Sequence, residues 1–312
     1  MNSWVNKKIL VTGGAGFLGS HVVEKLIKER GVEPENIRIP RSKDVDLRIW
    51  ENCRKAVQDV DIVFHLAARV GGIGYNMKFP ATLFYDNAIM GIQLMEAARQ
   101  KGVEKFVTVG TICSYPKFTP VPFKEEDLWT GYPEETNAPY GIAKKLLLVQ
   151  TQAYRQQYGF NASILFPTNL YGPRDNFDMD TSHVIPALIL KMYHAKSIGS
   201  EQIVVWGDGT PTRDFLYVED AAEGIVLAAE KYDKSEPLNL GSGREVSISE
   251  LVELIRGLMS FEGTIVWDRS KPNGQPRRCV SIERAKKELG WSPRVSLEEG
   301  LRKTIQWFLS SR

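Results

Sequence analysis

Metal ligands and disulfide formers are scarce in this chain: 312 residues hold three cysteines and four histidines. Cys53, Cys113 and Cys279 are odd in number and show no CxxC spacing, which argues against a disulfide framework and against a zinc site. The histidines show no metal-ligand spacing either, so no metal is expected. Long apolar runs are missing too. No stretch approaches the roughly 20 residues of a membrane span, and the amino terminus reads as lacking a signal-peptide core. Charge of one sign is not in excess: 40 Lys and Arg against 38 Asp and Glu leave a formal +2. With no dense basic run, nucleic acid is not an expected partner. No internal repeat, low-complexity segment or flexible linker interrupts the chain. What is present is an ordinary globular composition, 43% hydrophobic and 25% charged, long enough for a large core. A reduced, cytoplasmic enzyme or binding protein is expected, built as one large domain or one and a half.

The first half alternates short apolar runs with helical periodicity. Strands are expected at Lys8–Thr12, Ile37–Ile39, Val60–Phe64, Phe106–Val109 and Ala162–Phe166. Helices are expected over 17–30, 47–58, 80–101 and 140–158, with a further one at 184–196. This alternation argues a parallel sheet wound with helices on both faces. Beyond Gly172 the order changes to a loop rich in Asp, Asn and Pro, followed by shorter strand, turn and helix signals. The expected fold class is α/β, a doubly wound sheet with a smaller carboxy-terminal substrate lobe. The division reads as 1–173 for the nucleotide domain and 174–312 mainly for the substrate lobe, with a return to the first near 214–243.

The first strand runs into Gly13-Gly14-Ala15-Gly16-Phe17-Leu18-Gly19 and then a helix. Glycines between strand and helix let backbone approach a pyrophosphate, and the helix N-terminus supplies N–H donors and a positive dipole. That placement points to a Rossmann-type dinucleotide site, although the spacing is GxxGxxG. An acidic residue after the second strand would accept from a free ribose 2′-hydroxyl. This chain has Arg41-Ser42-Lys43 there instead, two cations and a hydroxyl suited to a 2′-phosphate, so NADP is preferred over NAD. Asp46 and Leu47 are placed to meet the adenine edge and face.

Tyr140 and Lys144 lie four apart at the start of a helix, hence on one face. A phenol titrates near pH ~10 and needs a neighbouring cation to work near neutrality, which Lys144 would supply. Together with the glycine turn and Gly110-Thr111 after the fourth strand, the pair resembles the extended short-chain dehydrogenase/reductase superfamily. The resemblance implies that Thr111 holds a substrate oxygen, Tyr140 exchanges its proton and Lys144 grips the nicotinamide ribose. Members that dehydrate nucleotide sugars carry Asp-Glu after that hydroxyl; here Ile112, Cys113 and Ser114 follow, so dehydration is not expected. Removing and restoring protons beside a ketone needs acid–base groups with pKa values near neutrality. A thiol and an imidazole are suitable.

The run Pro167-Thr168-Asn169-Leu170-Tyr171-Gly172-Pro173, then Asp175-Asn176-Phe177 and Ser182-His183-Val184-Ile185-Pro186, supplies the imidazole. With Arg69-Val70-Gly71-Gly72-Ile73, Ser114-Tyr115-Pro116-Lys117, the segment from Trp206 to Phe215 and Ser270-Lys271-Pro272-Asn273-Gly274, it closely resembles the GDP-L-fucose synthase family. The resemblance covers nearly the full chain. It implies that Cys113 and His183 are an epimerising pair. It also implies a homodimer and a cofactor cleft walled by Phe17, Leu18, Ala67, Pro167, Asn169, Leu170 and His183. Lys191, Arg213 and Lys271 would hold a nucleotide diphosphate sugar, with Asn169 and Trp206 completing the wall. Ile112 stands where many members have serine, and Ser114 where an apolar residue is common. The implied reaction inverts C3 and C5 of GDP-4-keto-6-deoxy-D-mannose and reduces C4 with NADPH, giving GDP-L-fucose. Another 4-keto nucleotide sugar is the alternative substrate; a non-catalytic NADP sensor is remote, since the Tyr–Lys pair is intact. Apolar residues on helices 80–101 and 140–158 (Phe84, Ile89, Ile92, Met95; Leu147, Leu148, Tyr154) would either pair across a two-fold axis or cover the sheet. His65 is expected to pack or to line the cofactor cleft, and Cys53 and Cys279 to fill space.

Overall fold

All four residues of β1 (Ile9–Thr12) are buried, and their sequence, ILVT, shows no alternation. Such a strand belongs inside a parallel sheet covered on both faces. The computed structural model describes residues 4, 6–179, 181–271 and 273–312, so Pro272 of the Ser270–Gly274 run lies outside the described residues. After β1 come α1 (Phe17–Lys28), β2 (Ile37–Arg38), α2 (Trp50–Ala56), β3 (Ile62–His65), α3 (Ile73–Lys78) and α4 (Pro80–Gln100). Then follow β4 (Lys105–Val109), α5 (Ala138–Tyr158), β5 (Ala162–Pro167), β6 (Asn169–Tyr171) and α6 (Val184–Ile198). The last third holds β7 (Gln202–Trp206), β8 (Thr212–Arg213), β9 (Phe215–Tyr217), α7 (Val218–Lys231), β10 (Leu238–Leu240) and β11 (Val246–Ser247). It closes with α8 (Ile248–Leu258), β12 (Thr264–Asp268), α9 (Glu283–Leu289) and α10 (Leu297–Ser310).

Six strands form one sheet in the order β10-β5-β4-β3-β1-β2, and every neighbouring pair is parallel. Helices α2, α4 and α5 pack together, as do α1, α7 and α9, giving the two covering layers. The chain leaves β1 outward to β2, then crosses back to β3 on the other side. A crevice opens at such a reversal, outside the carboxyl ends of the strands, and ligands bind there. The second strand and second helix are shorter than their sequence patterns: β2 stops before Ile39, and Leu47 and Val57 are buried just outside α2 rather than within it.

A second apolar cluster, distinct from the one around the sheet, joins Ile185, Leu188 and Ile189 of α6 to Leu251 and Ile255 of α8 and Leu301 and Phe308 of α10. Around it lie three two-stranded pairs: β6 with β9, β8 with β11, and β7 with β12. The apolar helix faces divide. Met95 of α4 and Leu147 and Leu148 of α5 are fully buried within this chain, so they cover the sheet and each other's helices. Gly91 permits the close approach, since a Cβ there would come within 2.6 Å of Leu147. Phe84, Tyr85, Ile92 and Val149 remain exposed.

Candidate active site

The glycine turn is built for close approach. Gly13 has φ +73°, and a Cβ there would lie 2.8 Å from the Ala67 nitrogen; one on Gly19 would lie 2.1 Å from the Gly13 carbonyl oxygen. Only glycine lets strand, loop and helix meet so tightly. Gly16 caps α1 without any side-chain bond, which leaves first-turn N–H groups directed at whatever lies beyond. These features fit the pyrophosphate of a dinucleotide cofactor. They open onto a cleft of about 1370 Å³ whose walls come from both halves of the chain.

Gly13, Gly16, Phe17, Leu18, Gly19, Arg41, Ser42, Lys43, Asp46, Leu47 and Ala67 line one end of this cleft. Thr111, Cys113, Tyr140, Lys144, Pro167, Asn169, Leu170 and His183 line the cleft as well, as do Lys191, Trp206 and Arg213. Arg41, Ser42 and Lys43 are exposed on the turn after β2, and none of their side chains has a partner among the described residues. Asp46 differs from expectation. Its carboxylate is held by Arg48 at 2.7 Å, which pulls the acid below its usual range and leaves it less free to meet an adenine edge. Lys271 also differs. It stands outside the cleft lining, its ammonium 5.3 Å from the centre of the Trp206 ring.

At the centre, Thr111 caps a short turn over Ile112–Ser114, its Oγ1 accepting the Cys113 N–H at 3.2 Å. The hydroxyl proton is left to donate elsewhere. Buried Ser114 donates to the Gly141 carbonyl at 2.8 Å, and a Cβ on Gly141 would fall 2.3 Å from the Cys113 carbonyl oxygen. The turn is thereby locked onto the first turn of α5, holding Thr111, Cys113 and Tyr140 in one frame. Ile112 is buried and belongs to the core.

The Tyr140 phenol is pushed above its ordinary pKa, first by burial and then by the Cys113 sulfur beside it. Sequence reasoning expects Lys144 to bring the phenol down; instead burial and the sulfur raise it, and Tyr140 keeps its proton. Burial also lowers Lys144 to about 8; its ammonium has no partner among the described residues, which suits a ligand's hydroxyls. His65 lies within β3, its Nδ1 2.8 Å from Thr12 Oγ1 on the neighbouring strand, and burial holds it neutral at about 3. It is a packing residue. Cys53 and Cys279 are likewise buried.

His183 sits at the N-cap of α6 and is exposed in the cleft, where the surrounding walls lower its pKa by partial desolvation. Lys191, two turns on, donates to the Val204 carbonyl at 2.8 Å. Arg213 spends donors on the carbonyls of Thr212 and Gln275, both at 2.7 Å. Sequence reasoning missed Arg278, which donates to Cys113 Sγ at 3.5 Å from 165 residues away. It also missed Asn76 and Asn137, bonded to each other at 2.9 Å in the cleft wall. Nothing local in the sequence marks any of the three.

The loop leading to His183 carries a buried acid. Asp175 accepts the Asn176 N–H at 2.7 Å with one oxygen, while its other oxygen has no partner among the described residues. Burial raises this carboxyl to about 7. Because the folded pKa lies above the unfolded value near 3.9, folding takes up a proton between them. Its stabilisation is complete below pH ~4 and lost as pH rises through about 7. Asp175→Asn is expected to raise Tm by about 5 °C at pH 8 and to leave it unchanged at pH 4, measured by scanning calorimetry.

A fold and cleft of this kind define a dinucleotide-dependent enzyme that exchanges protons and hydride with a carbonyl substrate. The chain belongs to the NAD dependent epimerase/dehydratase family, whose model matches residues 9–241. Its relatives are more particular. GDP-L-fucose synthase of Sinorhizobium fredii is 43% identical over 307 residues, covering 98% of this chain and 96% of that protein. GDP-L-fucose synthase 1 of Arabidopsis thaliana is 40% identical over 308 residues, covering 97% and 94%. The crystal structure of a GDP-L-fucose synthetase from Naegleria fowleri bound to NADP matches with a TM-score of 0.86 and 31% identity, covering 98% and 95%.

Proposed function

We propose that this protein makes GDP-L-fucose from GDP-4-keto-6-deoxy-D-mannose by inverting C3 and C5 and then reducing C4. The observation that carries this reading is the thiol of Cys113, set in the same rigid frame as Thr111 and Tyr140, where a simple 4-epimerase has no use for one. The C4 ketone acidifies the hydrogens on C3 and C5. Thr111 and Tyr140 donate to the ketone oxygen as negative charge develops there. At each centre one of the pair Cys113 and His183 takes the carbon's proton and the other returns one to the opposite face, with no net gain or loss. Bound NADPH supplies the hydride that reduces C4. Tyr140, protonated because it is buried, gives the oxygen its proton, completing the alcohol. Lys191 and Arg213 face the diphosphate, and Trp206 the wall beyond it.

The same reading divides the chain into a cofactor domain over 1–173, rejoined at about 214–243, and a substrate lobe mainly over 174–312. It also makes the protein a cytoplasmic homodimer. The exposed Phe84, Tyr85, Ile92 and Val149 on α4 and α5 are the surface such a dimer would bury.

The reading is tested by mixing purified protein with NADPH and a panel of 4-keto-6-deoxy nucleotide sugars and following loss of cofactor absorbance. Turnover is expected with the GDP-mannose derivative; turnover only with another sugar or base would overturn the substrate. The side chains of Arg41, Ser42 and Lys43, without partners among the described residues, are the proposed seat of the 2′-phosphate. NADPH is therefore expected to bind at least tenfold more tightly than NADH, and Arg41→Ala to narrow that ratio, each measured by fluorescence titration. Equal affinities in the unaltered protein would sink the NADP assignment.

A further inference from the structure

We propose that Arg278, held by Gln275, positions the Cys113 sulfur for inversion and steadies the negative charge that develops on it during proton transfer. This rests on the reading of Cys113 as an acid–base group. The guanidinium reaches Cys113 Sγ through Nη1 at 3.5 Å, and its Nε donates to Gln275 Oε1 at 2.8 Å. Gln275 in turn donates from Nε2 to the carbonyls of Pro116 at 3.3 Å and Lys117 at 3.1 Å. Those carbonyls belong to the segment that leaves the Cys113 turn. Arg278 is therefore tied both to the sulfur and, through one fully enclosed amide, to the backbone just beyond it. Both side chains are nearly inaccessible, Gln275 at 1% and Arg278 at 6%.

The backbone makes the placement firm. Arg278 N–H donates to the Thr212 carbonyl at 3.2 Å and Thr212 N–H to the Pro276 carbonyl at 2.9 Å, zipping 276–278 to β8. Phe123 N–H donates to the Cys279 carbonyl and Ser281 N–H to the Phe123 carbonyl, both at 2.8 Å, clamping the other side. A planar guanidinium already fixed at Nε loses little further freedom when Nη1 meets the sulfur. An opposite charge at such a distance stabilises negative charge as it develops on sulfur.

The other charged and titratable groups of this corner are Arg213 on β8, Tyr140 on α5 and Glu134 before it. Arg213 is lowered to about 9, chiefly by burial and then by the charge of Arg278, while Cys113 and Glu134 pull the other way. Two guanidinium groups and one sulfur therefore share one pocket. Tyr140 is raised partly by the same sulfur, which helps the phenol keep the proton it later delivers. Arg213 has backbone carbonyls for partners, whereas Arg278 is the cation that bonds the sulfur itself.

The experiment follows alkylation of Cys113 by iodoacetamide against pH, with the modified peptide identified by mass spectrometry; buried Cys53 and Cys279 give separate peptides. In Arg278→Met the reactivity curve is expected to move to higher pH, slowing alkylation at pH 7 about tenfold. Arg278→Lys, which keeps the charge, should recover part of the loss. Gln275→Leu, which keeps the guanidinium but frees it, should fall between. Solvent-deuterium exchange into substrate should slow in the same order, with its pH dependence displaced alike. An unmoved alkylation curve in folded Arg278→Met and Gln275→Leu proteins would overturn the proposal. So would a rise in KM alone with kcat and pH profile unchanged, which would make Arg278 a diphosphate ligand only. A Cys113→Ser protein with normal exchange would remove the acid–base role itself, and the catalytic part of the proposal with it. An alkylation curve that still moved with Arg278 would then show that the contact is real while the acid–base reading of Cys113 had failed.

Discussion

Tyr140→Phe is expected to lower turnover by about 10³-fold while leaving NADPH affinity within about twofold of the original. The phenolic oxygen has no hydrogen-bond partner among the described residues, so phenylalanine removes nothing that α5 uses to hold its shape. The ring still packs where it did. What disappears is the proton that the ketone oxygen must receive when C4 is reduced, and a donor to that oxygen while C3 and C5 exchange. Because burial and the neighbouring sulfur raise the phenol above its ordinary pKa, Tyr140 still carries its proton when the ketone oxygen comes to need one. Single-turnover kinetics with a separate cofactor titration would check this. A mutant with full turnover would show that another group protonates the oxygen.

Cys113→Ser is expected to slow deuterium uptake from solvent into C3 and C5 by about 10² to 10⁴-fold. Serine is close to cysteine in size and can still accept from Arg278, so packing alone would produce only a mild effect. A hydroxyl is a far weaker acid than a thiol, and it is this difference the experiment reads. Tyr140, Lys144 and the glycine turn remain in place, so a ketone that was never inverted is expected to be reduced to a diastereomer of the normal product. Product NMR after reaction in deuterated buffer distinguishes the outcomes. Normal deuterium content with normal stereochemistry would return Cys113 to the status of filler.

Much of this was legible in the chain because it is local. An apolar strand, a glycine turn and a periodic helix are contiguous signals, and each was dictated by residues within about one element's length. The Tyr140–Lys144 pair is equally local, since a helix places residues four apart on one face. The fate of Met95, Leu147 and Leu148 was not local, because an apolar helix face looks the same whether a sheet or a second subunit covers it. The direction of the Tyr140 shift was misjudged for a related reason. The charge of Lys144 can be read from spacing, but the burial that raises the phenol depends on the whole fold. Arg278 and Gln275 were invisible, being brought to Cys113 by pairing with β8 and the segment around Phe123. The pairing of Asp46 with Arg48, two residues on, was also not anticipated, although both residues line the cleft.

The most direct measurement is the reaction of the unaltered protein with GDP-4-keto-6-deoxy-D-mannose and NADPH in deuterium oxide, with the product read by NMR. The expected product is GDP-L-fucose carrying solvent deuterium at C3 and C5 and ordinary hydrogen, from the cofactor, at C4. A reduced product without deuterium at either carbon and with both centres uninverted would contradict an epimerising role for Cys113 and His183, and would make the protein a simple 4-keto reductase.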